Sequence, residues 1–330
     1  MRKMIEKKTI QSEIVGRLRQ GGRVLISSHV SPDGDSIGSQ LAMYDLCKLC
    51  NCEPMIVNHD SAVPRYLFLA KHGLVDVYSA DKTYPRFDCA VLLEAPEISR
   101  IGDVQKLLHP DCFVINIDHH ADNISYGQIN YVDARAEAVG MMVYDLFHEA
   151  GLPITRDNAD ELFTAILTDT GRFRFSNTTS AAMRLAADLL DVGANPKRIG
   201  DALYACYGEQ QLRMIGELVA AMEIHHNGRT CLLLSDRRLR DKHTGDADEV
   251  EGLADYSLYT CSVKVGALLR ELEPNCTKIS LRSHGEVDVS AIARVHGGGG
   301  HPNAAGCHLN YPFKQAKSIL LEQIEKALPA

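Results

Sequence analysis

The first half of the sequence contains short, continuously apolar runs that alternate with stretches of helical periodicity. The apolar runs are Arg23–Ser28, Pro54–Asn58, Cys89–Leu93 and Cys112–Ile117. Parallel strands that are buried on both faces are apolar throughout. Antiparallel strands with one solvent-exposed face alternate apolar and polar residues. The helical stretches are Ser36–Leu49 and the residues near 136–150, 157–168 and 179–192. This order of elements predicts an α/β domain with a doubly wound, mainly parallel sheet.

The character of the sequence changes after about residue 195. A helical stretch, Glu209–Met222, precedes two strand-like runs separated by Asn227-Gly228, and Asn-Gly between such runs is a strong hairpin signal. Further short strands are predicted at Lys278–Arg282 and Val287–Ser290. We therefore predict a smaller C-terminal α+β domain. The predicted boundaries are 1–193 for the first domain, 194–224 for a connecting helical linker and 225–330 for the second domain.

The charge balance restricts the kind of ligand that the chain can bind. It has 35 Lys and Arg residues against 43 Asp and Glu residues, a formal net charge of −8. Affinity for long nucleic acid comes from neutralising many phosphates, so an acidic chain is a poor track for long strands. Any phosphate chemistry is therefore expected at a local site that takes a small ligand.

No part of the sequence predicts export or membrane insertion. The N-terminal residues are charged, and no run reaches the roughly 18 apolar residues that a membrane helix needs. Ten cysteines in 330 residues are too sparse for a disulfide scaffold, which favours a reducing, cytoplasmic location. Cys47, Cys50 and Cys52 are close in sequence, but no second Cys or His pair follows at zinc-binding spacing. We interpret them as structural thiols, with a metal or redox role as the alternative.

The first predicted strand is followed by the motif His29-x3-Asp33-x-Asp35, at the point where the next helix begins. Carboxylates together with an imidazole suit Mn²⁺, Mg²⁺ or Zn²⁺. A polar turn in which an Asp caps the helix explains the same residues. The motif alone leaves both interpretations open.

Further carboxylates and imidazoles stand at the ends of other predicted strands and helices. They are Glu94, with Arg100 after it, the triplet Asp118-His119-His120, and Asp169. A helix-terminal Asp is usually structural, whereas adjacent histidines after a strand are rarely needed for packing. Active sites of doubly wound sheets lie at the carboxyl ends of the strands. Taken together, the set predicts a two-metal hydrolytic centre in which the ions flank a phosphoryl group.

A glycine-rich segment, His296–Gly306, lies in the second predicted domain. Four consecutive glycines expose backbone N–H groups, and the small residues after them can start a helix, a combination that suits an anion. A flexible linker is the alternative. Arg282, at the end of a predicted strand, is the natural partner for bidentate contact with a phosphate.

The ordered set of these motifs resembles the DHH phosphoesterase superfamily. The short two-domain layout is similar to its nanoRNase and pAp-phosphatase subfamily, and the resemblance covers residues of about 10–325. It implies a catalytic DHH domain followed by a DHH-associated substrate-binding domain. It also implies a cytoplasmic enzyme with two divalent metal ions, Mn²⁺ first, with Mg²⁺ or Co²⁺ as substitutes, which hydrolyses phosphodiester or 3′-phosphate bonds in very small nucleotides.

The resemblance implies a role for each matching position. His29 and Asp33 would hold one metal ion. Asp35, His119 and Asp169 would hold the second. Glu94 would bridge both ions, His120 would orient the site or assist proton transfer, and Asp118 would support a ligating imidazole. The substrate-binding residues would be Arg282, Gly298, Gly299, Gly300 and His301.

Two positions depart from the family pattern. Glu94 stands where the family usually has Asp, so the metal spacing is expected to differ, and Asp88 on the same strand is the alternative bridging residue. Arg172 stands where the family often has a small residue. It is expected either to add a cation beside the substrate or to lie on a surface loop.

The function predicted from the sequence is a metal-dependent phosphodiesterase that releases mononucleotides from short oligonucleotides. Removal of the 3′-phosphate from adenosine 3′,5′-bisphosphate is a second expected activity. The alternatives are a signalling phosphodiesterase for cyclic or linear dinucleotides, and a non-catalytic nucleotide-binding module. The predicted partners are short oligonucleotides or small nucleotides, with no membrane contact, and a homodimer is left open.

Overall fold

A computed structural model describes residues 2–61, 64–243, 252–285 and 287–329 of the chain. The chain divides into two compact units, Met1–Leu203 and Tyr204–Ala330, which we call the N-terminal and C-terminal units. In the described ranges, no helix combines the length and the apolar character needed to cross a bilayer.

The N-terminal unit is built on a parallel sheet. Its strands are β1 (Gly22–Ser27), β2 (Cys52–Asn58), β3 (Val75–Val77), β4 (Cys89–Leu93), β5 (Phe113–Asp118) and β6 (Ile129–Val132). They lie in the order β3-β2-β1-β4-β5-β6, and every neighbouring pair is parallel. Strand β4 is buried along its whole length. The predicted parallel sheet is therefore confirmed, with its most apolar strand at the centre.

Four helices of the N-terminal unit fall where the helical periodicity predicted them, a fifth lies in the predicted helical linker, and the helix at residues 2–18 was not predicted. The helices are α1 (Arg2–Leu18), α2 (Gly34–Leu49), α3 (Val139–Ala150), α4 (Arg156–Asp169), α5 (Ser180–Val192) and α6 (Pro196–Tyr204), with 3₁₀ segments at Pro64–Tyr66, His72–Leu74 and Ile98–Leu107. Capping side chains and glycines with left-handed backbone set where several of these helices begin or end. Thr155 and Asn158 form a capping box at the start of α4, and Gly151 and Gly193 end α3 and α5 in the left-handed conformation.

The strand order reverses between β1 and β4. In a doubly wound sheet, connections run in opposite directions from such a point, and a crevice opens at the carboxyl ends of the two strands. The residues that follow β1 and β4 are therefore placed where this fold binds its ligands.

Helices α2 and α4 approach each other through glycine. A Cβ atom at Gly34 would overlap the Thr168 side chain, and one at Gly38 would overlap the carbonyl oxygen of Glu161. Because a backbone carbonyl cannot rotate away as a side chain can, only glycine allows this separation of the two helices. The contact places the start of α2 beside the end of α4.

We expect Gly38→Ala to lower the free energy of unfolding by about 1–3 kcal/mol, because the added methyl group overpacks a backbone contact. The matched control is Gly16→Ala in α1, where an added Cβ meets nothing within 4 Å. That substitution is expected to stabilise the protein by up to about 1 kcal/mol, because alanine is the better helix former. Thermal unfolding of both variants measures the difference, and equal effects would contradict the close contact.

The C-terminal unit contains a mixed sheet with helices. Its strands are β7 (Glu223–His225), β8 (Thr230–Ser235), β9 (Val265–Glu273), β10 (Cys276–Ser283), β11 (Gly299–His301) and β12 (Ala304–Leu309), in the order β11-β12-β10-β9-β8-β7. Strands β8 and β9 are parallel and the other pairs are antiparallel. The helices are α7 (Glu209–Ala220), α8 (Arg237–Lys242), α9 (Val289–Arg294) and α10 (Phe313–Ala327), with a 3₁₀ segment at Leu253–Leu258. The predicted α+β architecture is confirmed.

The hairpin predicted at Asn227-Gly228 is also confirmed, because β7 and β8 pair in antiparallel fashion across it. His226, Asn227 and Gly228 take φ values of 50°, 55° and 87°. Asn and Gly are the residues that accept this left-handed backbone most readily.

Two predictions for the C-terminal unit are wrong. The strand predicted at Val287–Ser290 overlaps the start of α9, because the Asp288 carboxylate accepts hydrogen bonds from the N–H groups of Ser290 and Ala291 and caps a helix there. No helix follows the glycine run either. Residues Gly299–His301 form β11, which pairs with β12 in a hairpin, so the small residues after the glycines lie in a strand.

Candidate active site

The predicted site residues of the N-terminal unit lie at the carboxyl edge of the parallel sheet. His29 follows β1, Glu94 follows β4, and Asp118 is the last residue of β5. Asp88, the alternative bridging residue, precedes β4 and so lies at the opposite edge, where its carboxylate accepts a hydrogen bond from the Arg23 N–H at 2.8 Å. The structure therefore brings Glu94, and not Asp88, to the other site residues.

His29 and Asp33 are held by the turn that starts α2. The Nδ1 atom of His29 donates to the Val30 carbonyl at 2.7 Å, which leaves Nε2 at 3.1 Å from the Ser36 hydroxyl and 4.0 Å from Asp33. Burial lowers the pKa of His29. Asp33 accepts from the Ser36 N–H at 2.9 Å and is the N-cap of α2. Asp33 therefore caps the helix, as one interpretation of the motif predicted. Because Nδ1 of His29 carries the proton, Nε2 is the nitrogen that a metal could use.

The Asp35 carboxylate is fully buried and joins two distant parts of the chain. Its oxygens accept from the Val139 N–H at 2.6 Å and the Gly140 N–H at 2.9 Å, at the start of α3, and from the Ser39 hydroxyl at 2.8 Å. Burial raises the pKa of Asp35. A carboxylate at a helix N-terminus is favoured by the helix dipole and by the open N–H groups there. Asp35 therefore anchors α3, in addition to any ligand that it holds.

Asp118 and His120 form a hydrogen-bonded pair. Nδ1 of His120 donates to Oδ1 of Asp118 at 2.8 Å, and the same oxygen accepts from the backbone N–H of His119 and of His120. Oδ2 of Asp118 accepts from the Asn123 amide at 2.6 Å. Burial opposes ionisation of Asp118, but these hydrogen bonds outweigh it and hold its pKa below the usual value. The ionised carboxylate fixes the ring of His120 with Nε2 as the remaining nitrogen.

His119 stands between two carboxylates. Its Nδ1 donates to the Ala136 carbonyl at 2.9 Å, and its Nε2 lies 3.4 Å from Glu94 Oε1 and 3.7 Å from Asp169 Oδ2. Burial opposes a charged ring, but Asp169 and Asp35 outweigh it and raise the pKa of His119. Glu94, His119 and His120 each offer a ligand atom, and these atoms lie within 4.8 Å of one another.

Glu94 occupies the centre of this cluster at a conformational cost. Its φ of 55° is in the left-handed region, which is rare for a residue other than glycine or asparagine. The side chain is 2% exposed, and Oε1 accepts no hydrogen bond from any described residue. Burial, followed by the charges of Asp35 and Asp118, raises the pKa of Glu94 well above its usual value. Strain of this kind is typical of functional sites.

The residues fit a divalent metal centre. Since a carbonyl or carboxylate oxygen can only accept, His29, His119 and His120 each carry the proton on Nδ1 and leave Nε2 for a ligand. The buried Oε1 of Glu94 has no donor in the described part of the chain, as expected of an atom that faces a cation. Clustered carboxylates also repel one another unless cations or protons compensate them.

Sequence reasoning missed several residues that support the site. Asn123 and Ser36 hold Asp118 and His29, and the Ala136 carbonyl holds His119. Asn116, fully buried in β5, donates to the Ala95 carbonyl at 3.0 Å and accepts from Asn123 at 2.8 Å. A polar residue inside the apolar run that became β5 was a signal that could have identified Asn116.

Two other groups noted in the sequence have defined positions. Gly171, Arg172 and Phe173, directly after α4, have φ values of 55°, 65° and 60°, so Arg172 lies in a tight left-handed turn. Cys47, Cys50 and Cys52 are buried free thiols, and the Cys52 thiol donates to the Leu18 carbonyl.

In the C-terminal unit, Arg282 is the second-last residue of β10 and its guanidinium is held in place. Nε donates to Asp255 at 2.8 Å and Nη1 to the Leu281 carbonyl at 3.0 Å.

The glycine run has a steric explanation of its own. A Cβ at Gly298 would overlap the Gly306 carbonyl oxygen, and one at Gly300, with φ of 131°, would lie 2.6 Å from the Ala304 carbonyl oxygen.

Carboxylates and imidazoles clustered at the switch point of a parallel sheet suit the class of metal-assisted phosphoester hydrolases. The sequence matches the DHH family, N-terminal domain, over residues 23–166 and the DHHA1 domain over residues 232–329. It is 35% identical to the bifunctional oligoribonuclease and PAP phosphatase NrnA of Thermus thermophilus, over 98% of this chain and 95% of that relative. The chain belongs to the DHH family of phosphoesterases.

Other relatives agree with this assignment. The protein of the same name from Bacillus subtilis is 25% identical over 95% of this chain and 97% of the relative. Among solved structures, an exopolyphosphatase-related protein from Bacteroides fragilis superposes with a TM-score of 0.87 at 24% identity, over 96% of both chains. RecJ of Thermus thermophilus, crystallised with Mn²⁺, matches at a TM-score of 0.53 and 14% identity over 98% of this chain and 55% of that chain. These likenesses show the fold.

The pKa of Asp169 provides a test of the repulsion among the buried carboxylates. Burial, with the negative charges of Asp35 and Asp33, raises the pKa of Asp169 from 3.8 to about 7. A raised pKa means that the folded protein binds the proton more tightly than the unfolded chain. The stabilisation is therefore complete below the unfolded value and is lost as the pH rises through about 7.

Asp169→Asn should therefore stabilise the metal-free protein more at pH 8 than at pH 5. The difference in the free energy of unfolding is expected to be on the order of a few kcal/mol. Thermal unfolding in the presence of a chelator measures it. Asp157→Asn, at the exposed first turn of the same helix, should change the Tm equally at both pH values. If the Tm of both variants changes with pH in the same way, the raised pKa assigned to Asp169 is refuted.

Proposed function

We propose that this protein is a divalent-metal-dependent phosphoesterase that hydrolyses short oligoribonucleotides to mononucleotides and removes the 3′-phosphate of adenosine 3′,5′-bisphosphate. The observation that carries the proposal is the cluster of Glu94, His119, His120 and Asp169 at the carboxyl edge of the sheet. The names of relatives that align over nearly the whole chain support the substrate class. A cytoplasmic location and a homodimer stay predictions from the sequence.

Two divalent ions are proposed to bind at this edge, with Mn²⁺ as the first candidate and Mg²⁺ or Co²⁺ as substitutes. His29 and Asp33 would hold one ion. Asp35, His119 and Asp169 would hold the other, with Glu94 between them. When bound, such ions stabilise negative charge on phosphoryl oxygens and make water more acidic.

The chain's own residues orient the reacting groups. Because Asp118 holds the Nδ1 proton of His120 at 2.8 Å, Nε2 is the atom at which His120 can carry a proton to the leaving oxygen. The Asn123 amide fixes the second oxygen of Asp118 at 2.6 Å, so the pair keeps its geometry while the proton moves. Burial of the site keeps bulk water away from these charges.

The substrate-binding role of the C-terminal unit is part of the proposal. Arg282, with Nε already bonded to Asp255, keeps further N–H groups that can contact a phosphate. His301 and the backbone of Gly298, Gly299 and Gly300 are proposed to bind the same ligand. The net charge of −8 supplies no long basic track, so the preference is expected to be for short chains.

The test is a product time course on labelled RNA of about two, three, five and twenty nucleotides, beside the bisphosphate, run separately with Mn²⁺, Mg²⁺ and Co²⁺. We expect the highest rates on strands of about two to five nucleotides and a fall on the longest strand, because few phosphates can be bound at once. Asp33→Ala, which removes a proposed metal ligand, is the inactive control. Equal rates on dinucleotides and on the longest strand would contradict the short-substrate proposal, and no hydrolysis with any of the three metals would overturn the proposed function.

Glu94 gives a second prediction. Glu94→Gln should lower kcat by about 10²-fold or more, because an amide bridges two cations poorly. Glu94→Asp should keep most of the activity, since it keeps the carboxylate and since Asp adopts a left-handed backbone more readily. Steady-state kinetics together with the number of Mn²⁺ ions bound per chain provide the measurement. Full activity of Glu94→Gln would remove the bridging role from this residue, and Asp88 could not replace it from the opposite edge of the sheet.

A further inference from the structure

Arg100 is a basic residue beside the candidate active site that the proposed ligand set does not use. It lies in the 3₁₀ segment Ile98–Leu107. Its carbonyl oxygen accepts from the N–H of Val30, the residue after His29, at 2.8 Å, and its own N–H donates to the Glu97 carbonyl at 3.1 Å. The backbone of Arg100 is thus bonded directly to the loop that carries His29.

Among the described residues, the guanidinium of Arg100 lacks the partners that several other arginines have. Its Nε is buried, and its side chain forms no hydrogen bond or ion pair within the described ranges. By contrast, Arg282 pairs with Asp255, and Arg198 pairs with Asp160. A buried guanidinium nitrogen without a partner is costly and calls for an anion from outside the chain.

The segment that carries Arg100 is fixed in place. Ile101 and Val104 are fully buried, and Gly102, with φ of 58°, turns the chain against the His59 ring. The N–H of Asp103 donates to Nδ1 of His59 at 3.1 Å. Arg100 is therefore held on a rigid support, as a residue that positions a ligand should be.

We propose that Arg100 is a substrate-binding residue that donates hydrogen bonds to the non-bridging oxygens of the scissile phosphate. The inference rests on the proposed function, since it names the contact that a phosphate ester makes at that site. A planar guanidinium matches two phosphate oxygens, which a point charge does not. It also supplies positive charge on the His29 side of a site otherwise lined by carboxylates.

The variants Arg100→Gln and Arg100→Lys test the contact, with Lys106→Gln as the matched control. Lys106 lies in the same segment, but it is exposed and paired with Asp103 at 2.7 Å. With the dinucleotide and the bisphosphate as substrates, we expect Arg100→Gln to lose about 10²-fold in kcat/KM. Arg100→Lys should recover part of the loss, and the control should match the wild type. The Tm and the number of Mn²⁺ ions bound should be the same in all four proteins.

Calorimetric titration of the Mn²⁺-loaded proteins with inorganic phosphate separates this inference from the proposed function. We expect phosphate affinity to fall at least about tenfold in Arg100→Gln. If that happens while the wild type hydrolyses none of the nucleotides, the phosphate contact stands and the proposed function fails. If affinity and kcat/KM are unchanged, or if they fall only together with the Tm or the bound Mn²⁺, Arg100 is not a substrate-binding residue.

Discussion

The arrangement of the candidate active site depends on one buried carboxylate. Asp35, at the start of α2, accepts the first open N–H groups of α3, and this hydrogen bonding joins segments that are 104 and 105 residues apart in sequence. Helix α3 in turn contacts α4 so closely that a Cβ at Gly140 would overlap Ala165. Helix α4 ends at Asp169, so these contacts connect the start of α2 with the helix that carries that side chain. A helix N-terminus thus stabilises a charge and aligns three helices at the same time.

The same region concentrates more negative charge than a buried site can hold unaided, and the structure compensates it in different ways. Asp118 stays ionised because hydrogen bonds from His120, Asn123 and the backbone stabilise it. Burial and the neighbouring carboxylates raise the pKa values of Glu94 and Asp169. Protons or metal ions are the compensating cations for these two. The metal proposal therefore follows from electrostatics as well as from the identity of the side chains.

The parallel sheet and the edge that carries the site could be predicted because both depend on local patterns: apolar runs mark buried strands, and the polar residues after them mark their carboxyl ends. Strands β3 and β6, with three and four residues, are too short to give such a pattern. The prediction of a helix after the glycines was wrong, because the pairing of β11 with β12 outweighed the local preference for a helix. The bonds of Asp35 to α3 were not predictable, because no local signal shows which distant N–H groups a carboxylate will meet.

The glycine contact between α2 and α4 has a consequence for ion selectivity. Asp33 and Asp35 lie at the start of one helix and Asp169 at the end of the other, and the two helices touch without intervening side chains at Gly38. Side chains at an interface can change rotamer and let two helices move apart, whereas contact of backbone with backbone offers no such adjustment. If divalent ions bind between these helices as proposed, the site would favour cations of small radius and regular coordination over Ca²⁺, whose longer bonds and variable geometry need flexible ligands.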